Sequence, residues 1–212
     1  MSTARPSPSG ASRLAAAGAE LAAESARLAR LGWLRGSSGN LSIVLDHDPL
    51  RLAVTVSGRD KGLLEAEDVV LVDRAGNSVA DQPRPELVPS AEAALHAENA
   101  AASGAGAVVH VHAMAAVRAA RRWPSGVELS DLEMLKGLGR SAEGDLVRLP
   151  VVANSQRMSE LGERFRRCFR PDTPVLLVAG HGMYVWGADL RQARLRTECC
   201  EWLLRYALTD TD

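Results

Sequence analysis

Three histidines carry the most legible chemistry in this chain. His110 and His112 stand in His110-Val-His112, at the end of the apolar run Ala107-Val-Val-His-Val-His112, which reads as a strand. Alternate side chains of a strand share a face. Both imidazoles, with Val108, therefore point one way, while Val109 and Val111 point the other. A third imidazole stands in Gly180-His181-Gly182, where the glycines permit a tight turn and close backbone approach. Three histidine ligands and one open position suit a catalytic divalent ion, zinc foremost, whereas structural zinc prefers four ligands and cysteine. Cys168, Cys199 and Cys200 fall in helical segments remote from these histidines in sequence. Of the remaining histidines, His47 sits in an acidic turn and is expected at the surface. His96 lies inside a helix and is expected to be structural.

Two glutamates could move protons. Glu92 follows Ser90 at the start of a helix, where it either complements the helix dipole or acts as an acid/base near the metal. Glu133, in Leu132-Glu-Met-Leu-Lys-Gly137, is by itself a helix-surface acid. Two loops have the composition of anion sites. Ser37-Ser-Gly-Asn40 joins a helix to a strand, and Ser57-Gly-Arg-Asp-Lys61 follows another strand. Glycines free backbone N–H groups, hydroxyls add donors and Lys61 adds charge. Each alone is a turn; the two together, with Ser90, hint at a phosphate site. Neither a GxxxxGK[ST] loop nor a GxGxxG fingerprint is present.

The elements that must position these residues follow from periodicity and punctuation. A helix from near Ser12 places Leu14, Leu21, Leu28 and Leu31 on one face and stops at Gly36. Residues 41–45 and 51–56 read as a hairpin around Asp46-His47-Asp48-Pro49, and 69–72 as a third strand. Pro83, Pro85 and Pro89 mark a loop. Ser90 is the expected N-cap of a helix over 91–103. After the 107–112 strand come a helix over 113–122, a short helix near 128–136, a strand over 147–152 and a helix over 155–169. Strands 175–179 and 183–186 flank the Gly-His-Gly turn, and a long helix runs from 188 to about 207. Short turns between strands imply a largely antiparallel or mixed sheet covered by helices.

Composition sets the outer bounds. The 212 residues, 46% hydrophobic, suit one domain over residues 11–212, behind a Ser/Pro/Gly-rich lead, residues 1–10, expected to be disordered. Lys and Arg number 25 against 26 Asp and Glu, so bulk charge points to neither nucleic acid nor an anionic membrane as partner. The lead has no apolar core of a secretory signal, and no run of about 18 apolar residues offers a membrane span. Three cysteines without a CxxC fit a reducing cytoplasm.

Taken in order, Gly39-Asn40-Leu-Ser42, Ser57-Gly58, Ser90-Ala-Glu92, His110-Val-His112 and Gly180-His-Gly182 resemble the class II aldolase/adducin-head family, from about Ser12 to Ala207. Ser57-Gly-Arg-Asp-Lys-Gly62, Leu132-Glu-Met-Leu-Lys-Gly137 and Ala153-Asn-Ser-Gln156 make the chain most similar to that family's methylthioribulose-1-phosphate dehydratase branch. The resemblance implies a three-layer αβα fold with a central mixed, largely antiparallel sheet, and a homotetramer with sites near subunit interfaces. It implies one Zn2+ per subunit on His110, His112 and His181. It implies a phosphorylated ketose held through Ser37, Gly39, Asn40, Ser57, Gly58 and Ser90, with Lys61 close by. The implied activity is dehydration of 5-methylthioribulose 1-phosphate in methionine salvage, with Glu133 as the acid/base. Glu92 matches the catalytic glutamate of the aldolases, while some dehydratases carry cysteine there. Ala91 replaces a serine that several aldolases use for phosphate. A sugar-phosphate aldolase or epimerase is the alternative within the family, and a metal-free binding head, as in adducin, the alternative outside enzymes.

Overall fold

The computed structural model describes residues 10–209. The expected disordered lead lies outside the described residues, save Gly10, which opens the first helix. Helix α1 (Gly10–Arg30) leads into β1 (Asn40–His47), β2 (Leu50–Thr55) and β3 (Val69–Val72), then α2 (Ala93–Ser103) and β4 (Ala107–Val111). Then come α3 (Met114–Arg122), β5 (Val127–Leu129), a 3-10 helix (Glu133–Leu138), β6 (Val147–Leu149) and β7 (Val151–Val152). Helix α4 (Met158–Cys168), β8 (Val175–Val178), β9 (Gly182–Gly187) and α5 (Leu190–Thr209) complete the order. The main sheet has seven strands in the order β3-β2-β1-β4-β9-β8-β7. Its pairs are antiparallel except β7 with β8.

Strand alternation divides the core into two layers. Val109 and Val111 of β4, with Leu41 and Val185, pack against α1, α3 and α5. Val108, Tyr184 and Trp186 face the other way, against Leu95 of α2 and Phe165 of α4. This is the expected αβα arrangement around a mixed, largely antiparallel sheet. The site histidines belong to the face covered by α2 and α4.

Three local expectations are corrected. The strand expected over 147–152 is broken by Pro150, which lacks an N–H; β6 pairs with β5 in a separate two-stranded sheet, and β7 joins the main one. The short helix near 128–136 is instead strand β5 followed by the 3-10 helix from Glu133. Helix α2 starts at Ala93, with Glu92 at the cap position, so Ser90 is not its N-cap. The Ser90 hydroxyl accepts from the Glu92 N–H (3.3 Å) and its carbonyl from the Ala93 N–H, forming a turn ahead of the helix.

Candidate metal centre and cleft

Antiparallel pairing of β4 with β9 aligns Val111 with Met183 and His110 with Tyr184. This register brings the Gly180-His-Gly182 turn beside the end of β4, although His181 is 71 residues from His110. Gly180 sits at φ +70°, and a Cβ on Gly182 would lie 2.2 Å from the Val111 carbonyl oxygen. Only glycine lets the two strands approach so closely. Gly182→Ala is therefore expected to force β9 from β4 and cost about 1–3 kcal/mol of stability. A chemical denaturation midpoint close to that of the parent chain would show that the strands have room to spare.

His112 lies one residue past β4, with its N–H bonded to the Trp33 carbonyl at 3.0 Å. The three imidazoles nevertheless converge. Nε2 of His110 is 2.9 Å from Nε2 of His112 and 3.3 Å from Nε2 of His181. One ring nitrogen from each lies within 4.8 Å of the others. His110 is fully buried, its ring stacked on Tyr184 at 4.0 Å between centroids. Its Nδ1 stands 3.0 Å from the Met183 carbonyl, which can only accept, so Nδ1 carries the proton and Nε2 offers its lone pair to the cluster. A backbone carbonyl that fixes the tautomer in this way is the usual support of a metal-binding histidine. Burial lowers the His110 pKa to about 3, against the pull of Glu92, so the ring is neutral at physiological pH. Three imidazole nitrogens converging on one point fit a divalent cation of the zinc type.

Glu92 enters the same point from the turn before α2. Its Oε2 is 3.3 Å from His110 Nε2 and its Oε1 is 3.2 Å from His181 Nε2. Burial would raise this carboxyl, but facing His110 and the Asn40 amide hold it down, to about 2. Because His110 is neutral at physiological pH, the Asn40 donor (2.6 Å to Oε2) is the partner that persists there. Glu92 is thus an ionised carboxylate beside the histidines, the acid/base reading left open by its sequence position.

Ser37, Gly39, Asn40, Ser57, Gly58, Lys61 and Ser90 line one cleft of about 390 Å³ with Glu92, His112 and His181. The two loops and Ser90 are therefore brought together beside the histidines. Gly39 is at φ +73°, and a Cβ there would lie 2.8 Å from the His110 carbonyl oxygen, which ties this loop to β4. Lys61 is buried, its Nζ donating to the carbonyls of Val56 (3.1 Å) and Arg59 (3.0 Å). It props the Ser57-Gly58 turn from below and brings its charge under the loop. Asn40 lines the cleft, yet its amide N–H groups are directed to Ser90 and Glu92.

Glu133 is not among the residues lining this cleft. It is exposed on the 3-10 helix and paired with Lys136 at 2.7 Å. Asn154, Gln156 and Met158 also line the cleft. The Asn154–Gln156 segment is conspicuous in the sequence but has no type-and-spacing signal for a ligand. Tyr184, under His110, offers none either. His96 is buried, and burial lowers its pKa to about 4, opposed by the Glu92 charge. Its folded pKa lies below the ordinary 6.5, so its stabilising effect is complete above 6.5 and lost as pH falls toward 4. Chelated protein should therefore weaken between about pH 7 and about pH 5, by up to about 1.4 kcal/mol per pH unit for this histidine. Flat denaturant midpoints over that range would contradict this.

Residues 19–208 match the family described as Class II Aldolase and Adducin N-terminal domain. The chain is 35% identical over 174 residues to methylthioribulose-1-phosphate dehydratase of Bacillus mycoides (strain KBAB4), covering 82% of this chain and 81% of that protein. It is 33% identical over 182 residues to the protein of the same name from Persephonella marina (strain DSM 14350 / EX-H1), covering 85% and 83%. Among solved structures, L-fuculose-1-phosphate aldolase from Thermus thermophilus aligns with a TM-score of 0.68 at 25% identity, over 93% of this chain and 95% of that one. In the described residues, no helix is long and apolar enough to cross a membrane.

Proposed function

Because this chain belongs to the class II aldolase and adducin N-terminal domain family, we propose that it is a zinc-dependent hydro-lyase of methionine salvage, acting in the cytoplasm. Its reaction is the conversion of 5-methylthioribulose 1-phosphate to 2,3-diketo-5-methylthiopentyl 1-phosphate and water. The observation that carries this reading is a cluster of three convergent imidazoles, two of which line one cleft with an ionised carboxylate and two Ser/Gly loops. Relatives named for this dehydration, at 35% and 33% identity, favour it over aldol cleavage.

His110, His112 and His181 would hold the ion, and Zn2+ there supplies Lewis-acid stabilisation of negative charge on a substrate oxygen. Ser37, Gly39, Ser57, Gly58 and Ser90 receive the phosphate, with the Lys61 charge beneath, and so orient the carbon chain. Glu92, ionised inside the cleft, takes the proton from C3. The C4 hydroxyl leaves as water once an acid protonates it, and the resulting enol tautomerises to the diketone. Glu133 serves as that acid from a neighbouring subunit of a homotetramer, since within one chain it stands outside the cleft.

Incubating zinc-loaded protein with 5-methylthioribulose 1-phosphate tests the reaction. Diketone formation abolished by a chelator is expected. Intact, metal-bound protein without turnover would remove the dehydratase reading, and a screen of ketose 1-phosphates for aldol cleavage would follow. Placement of Glu133 has its own test. Glu92→Gln and Glu133→Gln chains, each strongly impaired alone, should regain part of the activity when unfolded together and reassembled. Two carboxylates acting from one subunit would give no recovery.

A further inference from the structure

Behind Glu92 runs a buried polar chain that the reaction above leaves unused. His96, on α2, is fully buried. Its Nε2 lies 2.5 Å from Asn40 Oδ1, and its Nδ1 lies 2.8 Å from Ser42 Oγ. Asn40 Nδ2 in turn lies 2.6 Å from Glu92 Oε2 and 2.9 Å from Ser90 Oγ. Asn40 and Ser42 are both buried on β1, beside His110 and Val108 of β4.

With the fully buried His96 neutral, one pattern of protons satisfies every member. The Asn40 NH2 faces the Glu92 carboxyl oxygen at 2.6 Å and the Ser90 hydroxyl at 2.9 Å. Asn40 Oδ1 then faces His96 and requires a proton on Nε2. A neutral imidazole carries one proton, so Nδ1 is bare and accepts from the Ser42 hydroxyl. The opposite tautomer would set a lone pair against Oδ1. It would favour a reversed amide, which turns an oxygen toward the carboxylate. In a buried setting such a mismatch is costly, so the pattern is rigid.

We propose that His96, held as its Nε2–H tautomer by Ser42, is a positioning residue that locks the Asn40 amide and thereby fixes the Glu92 carboxylate over the three histidines. The effect on turnover rests on the function proposed above; the tautomer and the carboxylate placement do not.

The first test is a long-range 1H–15N correlation spectrum of the chelated full-length protein labelled at histidine, at neutral pH. His96 should show a protonated Nε2 and a bare Nδ1. An Nδ1–H form or an imidazolium would overturn the proposal. The second test loads cobalt(II) into the parent chain, His96→Leu and His96→Gln, whose amide can still donate to Asn40. The visible cobalt spectrum should change in the leucine variant and return toward the parent in glutamine. With substrate, kcat of the leucine variant should fall about 10–100-fold, with KM little changed, and largely recover with glutamine. A leucine variant with the parent's cobalt spectrum would overturn the proposal, whatever its Tm. If the parent chain does not turn over the substrate, the function fails while the nitrogen and cobalt spectra still judge His96. Should the leucine variant not fold, the nitrogen spectrum decides alone.

Discussion

Purified His181→Ala should contain almost no zinc and should not dehydrate 5-methylthioribulose 1-phosphate at a measurable rate. His181 is the histidine to change because it sits at the rim, part-exposed, on a turn between two strands. Its Nδ1 has no hydrogen-bond partner, so its removal breaks no supporting bond there. His110, by contrast, is fully buried and stacked on Tyr184, and its loss would damage folding as well. Loss of a partner that merely supports a ligand typically costs 10–100-fold in affinity or activity, so loss of a ligand itself should cost more than about 100-fold. Metal content by elemental analysis and turnover should fall together, while circular dichroism stays unchanged. Full zinc occupancy in the variant would mean that the three-histidine assignment is wrong.

Glu92→Gln should separate binding from chemistry. Glutamine keeps the volume and can still meet the Asn40 side of the pocket, but it cannot take a proton. With His110, His112 and His181 intact, zinc content should stay near one per chain. Turnover should fall by about 10²–10⁴, the usual worth of a positioned acid/base. The rate is the readout: a near-normal kcat would remove Glu92 from the chemistry and return the role to Glu133 alone. A parallel collapse of zinc content would instead make Glu92 a ligand that the site needs.

Much of the fold was readable because local patterns report it directly. The period-2 alternation of Val108 and His110 against Val109 and Val111 matches the two faces of β4. The hairpin of β1 and β2 forms as read, but Asp46 and His47 extend β1 and leave Asp48-Pro49 as the turn. The failures have local causes as well. Around Pro150, apolar residues on both sides mimic one strand, and only the missing N–H divides them between two sheets. At Ser90, side-chain type suggested an N-cap, yet the helix begins later, after a turn that swings Glu92 toward the histidines.

Local residue patterns are enough to say which chemistry this chain can offer. Histidines two apart on a strand share a face, and glycines around His181 allow the tight turn that a third ligand requires. Hydroxyls and glycines in two loops can receive an anion. Those are properties of residue type and short spacing, and no tertiary contact is needed to state them. Which residues meet depends on the folded arrangement of the strands and helices. Strand register set His181 beside β4, and strand order carried Asn40 and Ser42 to His96. Burial decided the charges, leaving His96 and His110 neutral while hydrogen bonding keeps Glu92 ionised. It also separated two glutamates that the sequence could not rank: Glu92 faces the histidines inside the cleft, and Glu133 pairs with Lys136 at the surface. Proton affinity depends on distance and desolvation, which are set by residues far apart in the chain and have no local signature.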